Sequence, residues 1–202
     1  MLEPALWTFS WLNWLYPLLV GGLFATIWVV NDFTARRTRH FTTRHRLDDL
    51  IPFLPIFALP YFSAYVLGNG AYLFLREDAN FTRILLGYLL IYLLSNTSYL
   101  LLPTRVERRE QLNTDTASTH ILARFQHLSK PFNNFPSMHV SYCLYSALVV
   151  ATYTDNGWGG LLLVWAGVVA LSTLFTKQHH LLDVAAGALL ATLAYWIVRV
   201  SA

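Results

Sequence analysis

Four uncharged and largely apolar runs constrain this chain more than any other feature: Ala5 to Val30, Leu50 to Leu75, Ile84 to Thr104 and Asn156 to Thr176. Each is long enough to cross the roughly 20-residue hydrocarbon core of a bilayer as an α-helix. Two shorter runs, Val140 to Thr154 and Val184 to Val198, are helical in composition but fall short of a full span. They reach one only if the polar residues at their N-terminal ends, His139 and His179 to Asp183, also lie at membrane depth, inside a bundle or a water-filled cavity. Composition agrees: 55% of the 202 residues are hydrophobic and 12% charged, against about a quarter charged in soluble domains. The expectation is one all-α integral membrane domain over 1–202, a six-transmembrane-helix bundle without repeats or linkers.

The remaining composition mostly excludes. Cys143 is the single cysteine and sits in an apolar run, so no intrachain disulfide forms and a packing role is expected. The first run is too long for an ordinary signal peptide and lacks a basic leader, so it reads as a retained helix. A net charge of +3, with its basic residues in the loops between spans, gives no nucleic-acid stripe; membrane lipids are the expected counter-charge. Asn31 to Asp49 is rich in arginine and reads as a solvated loop touching headgroups, with an interfacial amphipathic helix as the alternative. Pro52, Pro55, Pro60, Gly68 and Gly70 predict a kinked second helix that ends near Gly68. Arg105 to Phe135 reads as one long polar loop, of the kind that is usually functional or disordered.

With six spans, the end of the third, the start of the fourth and the junction of the last two emerge on one membrane face. Arg105, Arg108, Arg109, His139, Lys177, His179, His180 and Asp183 then gather there. His179 and Asp183 are four apart, one turn on a common helix face. An Asp accepting from one ring nitrogen fixes the tautomer and leaves the other nitrogen as a nucleophile. A packing pair is the plain alternative, and the second histidine in Pro136-Ser137-Met138-His139 shifts the balance. Pro136 suits a first helical turn and Ser137 a cap, where free N–H groups bind anions. His139 could then protonate a leaving oxygen while Ser137 holds phosphoryl oxygens. Arg105, Arg108 and Lys177 could supply phosphate-binding cations, with interfacial anchoring as their alternative.

Pro136-Ser137-Met138-His139 and His179-His180-Leu181-Leu182-Asp183 resemble the last two signature elements of the type 2 phosphatidic acid phosphatase (PAP2) superfamily, with catalytic elements within about 103–187. Thr176 to Gly187 looks most like the branch of inositol phosphorylceramide synthase and sphingomyelin synthase-like proteins. The resemblance implies His179 as nucleophile, Asp183 as its orienting partner and His139 as general acid, with no metal and no cofactor. Ser172-Thr173 stands where the phosphatases have Ser-Arg, so Lys177 is the expected substitute. Arg109 stands where a proline would follow Arg108.

The expected activity is a membrane lipid phosphatase or phosphotransferase acting on a lipid phosphate or phosphodiester, with a lipid substrate, an optional acceptor alcohol and a phosphohistidine intermediate. The rivals are a non-catalytic membrane protein, a proton or ion carrier using the same groups, and a zinc site from His139, His179 and His180, which the divergence of adjacent helical residues disfavours. Eleven of the 14 Lys and Arg residues fall on the site's face, which argues for a cytoplasmic site. The family resemblance argues for the extracytoplasmic face, and that face is the expectation.

Overall fold

The computed structural model describes residues 25–75, 80–108, 112, 115–154 and 157–200. Most of the expected first span, together with Arg76 and Arg109, lies outside them. Among the described residues the chain is all helical. Helix α1 occupies 25–35, followed by α2 (Ala58–Leu75), α3 (Phe81–Leu101), α4 (Ala117–Leu128), α5 (Met138–Tyr153), α6 (Trp158–Phe175) and α7 (Leu181–Val200). Three of them, α3, α6 and α7, are long and apolar enough to cross a membrane. Their outward side chains, such as Leu86, Leu101, Leu161, Val164 and Leu189, are large, apolar and exposed, as a lipid-facing surface requires.

Helix α5 is the centre. It packs on α2, α3, α6 and α7, and ten of its 16 residues are buried. A helix covered on nearly every side by protein need not be apolar throughout. Its polar groups are spent between helices: Tyr88 and Ser146 hydroxyls lie 2.7 Å apart, and Tyr145 donates to the Ile84 carbonyl. That explains why the run is short by membrane standards.

Three expectations are corrected. The second run does not end at Gly68; α2 is continuous through Gly68 and Gly70 to Leu75. Pro52 and Pro55 precede it among short 3-10 turns (Arg46–Leu50 and Pro55–Phe57), and Pro60 falls in its first turn, where a missing N–H costs nothing. The stretch from Arg105 to Phe135 is not all loop, because α4 forms within it, capped by Thr116, whose side chain accepts the Thr119 N–H. The arginine-rich stretch is not an interfacial helix; it crosses the end of the bundle as an extended strap. Its Phe41 exchanges backbone hydrogen bonds with Pro103 and Arg105.

All loops that meet there join at one end of the bundle. Leu54 donates to the Phe175 carbonyl, Val106 to Pro131 and Asn133 to Thr104. The Asn133 to Ser137 approach to α5 is fixed residue by residue. Thr104 Oγ1 accepts from the Asn134 and Phe135 N–H groups, Ser98 and Tyr99 donate to the Phe135 and Pro136 carbonyls, and Ser137 donates its N–H to the Asp183 carbonyl at 2.9 Å. This last bond requires α5 and α7 to touch, and Gly187 permits it: a Cβ there would stand 2.5 Å from the Ser137 carbonyl oxygen.

Gly187→Ala should therefore lower stability by about 1–3 kcal/mol and depress any activity of the site. Gly160→Ala, with open space at its Cβ, serves as the neutral control. Thermal unfolding in detergent measures both.

Candidate active site

His139 lies in the first turn of α5, its ring stacked on Tyr61 at 4.5 Å and edged by Tyr65 at 5.5 Å. The His179 ring stands opposite, centroids 5.6 Å apart and tilted by 64°. Both line a cavity of about 420 Å³ with Arg108, Tyr99, Asn134 and Gln178, walled elsewhere by apolar side chains of α1, α2, α4 and α5.

His179 is not on a helix. Chain reversal after α6 passes through Lys177 in the left-handed region (φ 55°), and α7 begins only at Leu181. The four-residue spacing therefore does not hold His179 on Asp183 as a helical pair would. Its Nδ1 lies 3.1 Å from the Asn134 backbone carbonyl and 3.6 Å from Asp183 Oδ2. A carbonyl can only accept, so Nδ1 carries the hydrogen and Nε2 keeps a lone pair. The sequence reading gave this tautomer lock to Asp183; the backbone supplies it, and Asp183 contributes a nearby negative charge.

Asp183 itself is fully buried and held on every side. Oδ2 accepts the His180 backbone N–H at 2.8 Å, reaching back over the start of α7 as acidic residues of a first turn do. Oδ1 accepts the Thr43 hydroxyl at 2.7 Å. That hydroxyl has one proton and gives it to the carboxylate, so its oxygen accepts from His180 Nδ1 at 2.9 Å. His180 thus does not point away from Asp183, as helical spacing suggested. Burial holds its imidazole below the ordinary histidine range, with Asp183 opposing. Asp48, also on the strap, caps α7 by accepting the Leu181 N–H at 2.8 Å. Neither Thr43 nor Asp48 was singled out in the sequence, where nothing marks a contact spanning more than 130 residues.

The four expected phosphate ligands part company. Arg108 lines the cavity; its Nη1 is anchored on Ser129 at 2.7 Å, its Nε is buried without a partner among the described residues, and burial pulls its pKa below the usual arginine value. Among the described residues no carboxylate lines this cavity, and the one other Lys or Arg there, Lys130, is paired with Asp32. Lys177 lines a second, more polar pocket that His179 also borders, and its ammonium donates to the Asp48 and Ile51 carbonyls at 2.8 and 2.5 Å. Arg105 is exposed, its guanidinium 6.0 Å from the Phe132 ring centroid. Ser137 is the N-cap of α5 but makes no side-chain cap bond, and its buried hydroxyl has no partner among the described residues. Arg105 and Ser137 line neither cavity.

With this geometry in place, the comparison with known proteins is specific. The PAP2 superfamily model matches residues 79–202, well over half of the chain. The chain belongs to the PAP2 superfamily. It matches no curated protein and no solved structure. Superfamily membership points to phosphatase or phosphotransferase chemistry, and the matched span contains every cavity-lining residue from α3 onward, His139 and His179 among them, together with the buried Asp183. The strap and helices α1 and α2 fall outside it.

Thr43→Val should cut turnover by about 10- to 100-fold, since it strips one charge-assisted hydrogen bond from a buried carboxylate, while Thr43→Ser should keep most of it. Steady-state rates of the two purified variants, normalised to folded protein, check this.

Proposed function

We propose that this PAP2 protein transfers a phosphoryl group of a membrane lipid through a covalent intermediate on His179 Nε2. The observation that carries the reading is the His179 Nδ1–H bond to the Asn134 carbonyl, which leaves Nε2 as a lone-pair nucleophile opposite His139 in a cavity with one unneutralised cation. Nε2 attacks phosphorus, the bond to the leaving oxygen breaks, and His139 gives that oxygen its proton. His179 then carries positive charge, which the Asp183 carboxylate stabilises. In the second step water or an acceptor alcohol attacks phosphorus, His139 takes its proton, and the P–N bond breaks to restore the lone pair.

Arg108 is the phosphate-binding cation of this reading, since it lines the cavity with both histidines. Lys177 borders the neighbouring pocket, with two of its ammonium donors held by the Asp48 and Ile51 carbonyls. Ser137 acts through its backbone, and Arg105 is the weakest of the four candidates. The apolar walls suit an acyl or isoprenoid tail, so the substrate is a lipid phosphate or phosphodiester. The proposed topology is multi-pass with six spans, and the site faces the extracytoplasmic side in keeping with the superfamily resemblance.

Detergent-purified protein assayed on phosphatidic acid, polyprenyl diphosphate, phosphatidylglycerol phosphate and phosphoinositides, with and without acceptor alcohols, tests the reaction. His179→Ala should abolish turnover, His139→Ala should lower it at least about a thousandfold, and Asp183→Asn should leave a small residual rate. Activity should survive EDTA. Full activity in the His179 variant sinks the mechanism; absence of turnover on any lipid, with pH-dependent flux in liposomes, favours a proton carrier.

Sidedness has its own test. In a Cys143→Ser background, a cysteine at the exposed Ala117 of α4 should react with an impermeant thiol reagent in intact cells, and one at position Asp155 should not. The reverse pattern places the site in the cytoplasm.

A further inference from the structure

Helix α2 lies outside the matched span, yet it sets a tyrosine against the general acid of the proposed reaction. The Tyr61 ring stacks on His139, centroids 4.5 Å apart and planes tilted by 30°, and meets Phe125 edge-on at 5.2 Å. Only 2% of the residue is exposed, and it lines the cavity. A phenylalanine at this position makes the same ring contacts, so the hydroxyl is the part that packing does not explain. It forms no hydrogen bond among the described residues, and it is not one of the unpartnered polar atoms shut off from solvent, as the Ser95 and Ser137 hydroxyls are. In a residue this buried on a cavity wall, the open side of the hydroxyl is the cavity.

The groups that interact electrostatically with this phenol are Tyr65, Arg108 and Tyr99, all lining the same cavity. Arg108 reaches the Tyr61 neighbourhood over Phe125, its guanidinium carbon 6.0 Å from that ring. Its Nη1 is held by Ser129 and its Nε is sealed, whereas Nη2 is both unpartnered among the described residues and open. His179 Nε2 is in the same state. An arginine can only donate, and the phenol has its own hydrogen to give, so a ligand that pairs with both is an acceptor. A phosphoryl group presents several charged acceptor oxygens on one centre. We propose that Tyr61 is a further substrate-binding residue, whose hydroxyl donates a hydrogen bond to a non-bridging oxygen of the phosphoryl group while Arg108 Nη2 holds the same group. The assignment rests on the function proposed above. The phenol keeps its proton throughout, and proton transfer stays with His139, so no covalent bond at Tyr61 is made or broken. One side chain thus braces the acid with its ring and holds the reacting group with its hydroxyl.

Tyr61→Phe separates the two roles, because both ring contacts remain and no internal hydrogen bond is lost. The variant should unfold at the wild-type temperature in the absence of ligand. Orthophosphate binding by the detergent-purified full chain is read as the rise in unfolding temperature across a titration, and turnover on the lipid panel is measured separately. Tyr61→Phe should raise the half-saturating orthophosphate concentration at least about tenfold, as loss of one hydrogen bond to a charged acceptor requires, and should lower kcat/KM by a similar factor. An unchanged phosphate affinity or an unchanged kcat/KM means that the hydroxyl holds only water, and overturns the assignment. A lowered unfolding temperature with wild-type phosphate affinity gives the hydroxyl to packing and overturns it too. Repeating the titration in His179→Ala keeps the two proposals apart. Tyr61-dependent phosphate binding without any His179-dependent turnover overturns the catalytic reading alone, and His179-dependent turnover indifferent to Tyr61→Phe overturns the Tyr61 assignment alone.

Discussion

The site depends on what Asp183 holds. Its backbone carbonyl takes the Ser137 N–H, which docks the start of α5, and with it His139, onto α7. Its carboxylate takes the His180 N–H and the Thr43 hydroxyl, which docks the turn after α6 and the strap. A buried carboxylate is costly unless its lone pairs are filled, and here the filling groups come from three separate parts of the chain. The charge therefore has one well-satisfied arrangement, and that arrangement is the one in which the two histidine rings face each other. Orientation of the His179 ring is left to a backbone carbonyl, which cannot change protonation state and cannot rotate away independently of the chain.

Such a centre needs polar material in a mostly apolar bundle, and α5 provides the place for it. Because α2, α3, α6 and α7 cover α5, its serines and tyrosines can bond between helices with no lipid beside them. The three helices long and apolar enough to cross a membrane carry many exposed leucines and valines, and such faces require nothing but apolarity. The histidines and Asp183 are gathered at the end where α5 and α7 begin, where the strap and the turn after α6 are hydrogen-bonded to the helix starts. Polar connections at membrane depth are tolerated in this position because they are buried in protein or border a cavity.

Apolar runs were legible in the sequence because hydrophobicity is a local property: the α3, α6 and α7 segments lie within the runs read as spans, to within a few residues. The motifs Pro136 to His139 and His179 to Asp183 are local patterns too, and the structure brings their side chains together. What escaped was set by distant contacts. The strap reads as a solvated arginine-rich loop by composition, and its partnership with α7 through Thr43 and Asp48 is written in no neighbouring residue. Spacing also misled in one respect. Four residues from His179 to Asp183 suggest a helix turn, but α7 begins after His180, because Asp48 and Asp183 together take the N–H groups at its start. Prolines were read as kinks when they lie before or in the first turn of α2, where the ring is harmless. Helix α4 was hidden within a polar stretch for want of a long apolar face.

On the proposed mechanism, the two half-reactions use the same side of the phosphorus. The group that leaves departs opposite Nε2, and the group that attacks must return along that line, with His139 serving first as acid and then as base. Whatever occupies the cavity between the two histidine rings in the first step thus stands where the second nucleophile must stand. Largely apolar walls limit the water that can enter, and an alcohol held there competes with water for the phosphohistidine at an effective concentration far above that of the free alcohol. Hydrolysis and transfer are then decided by what the cavity wall holds, because the work of the two histidines is identical in both.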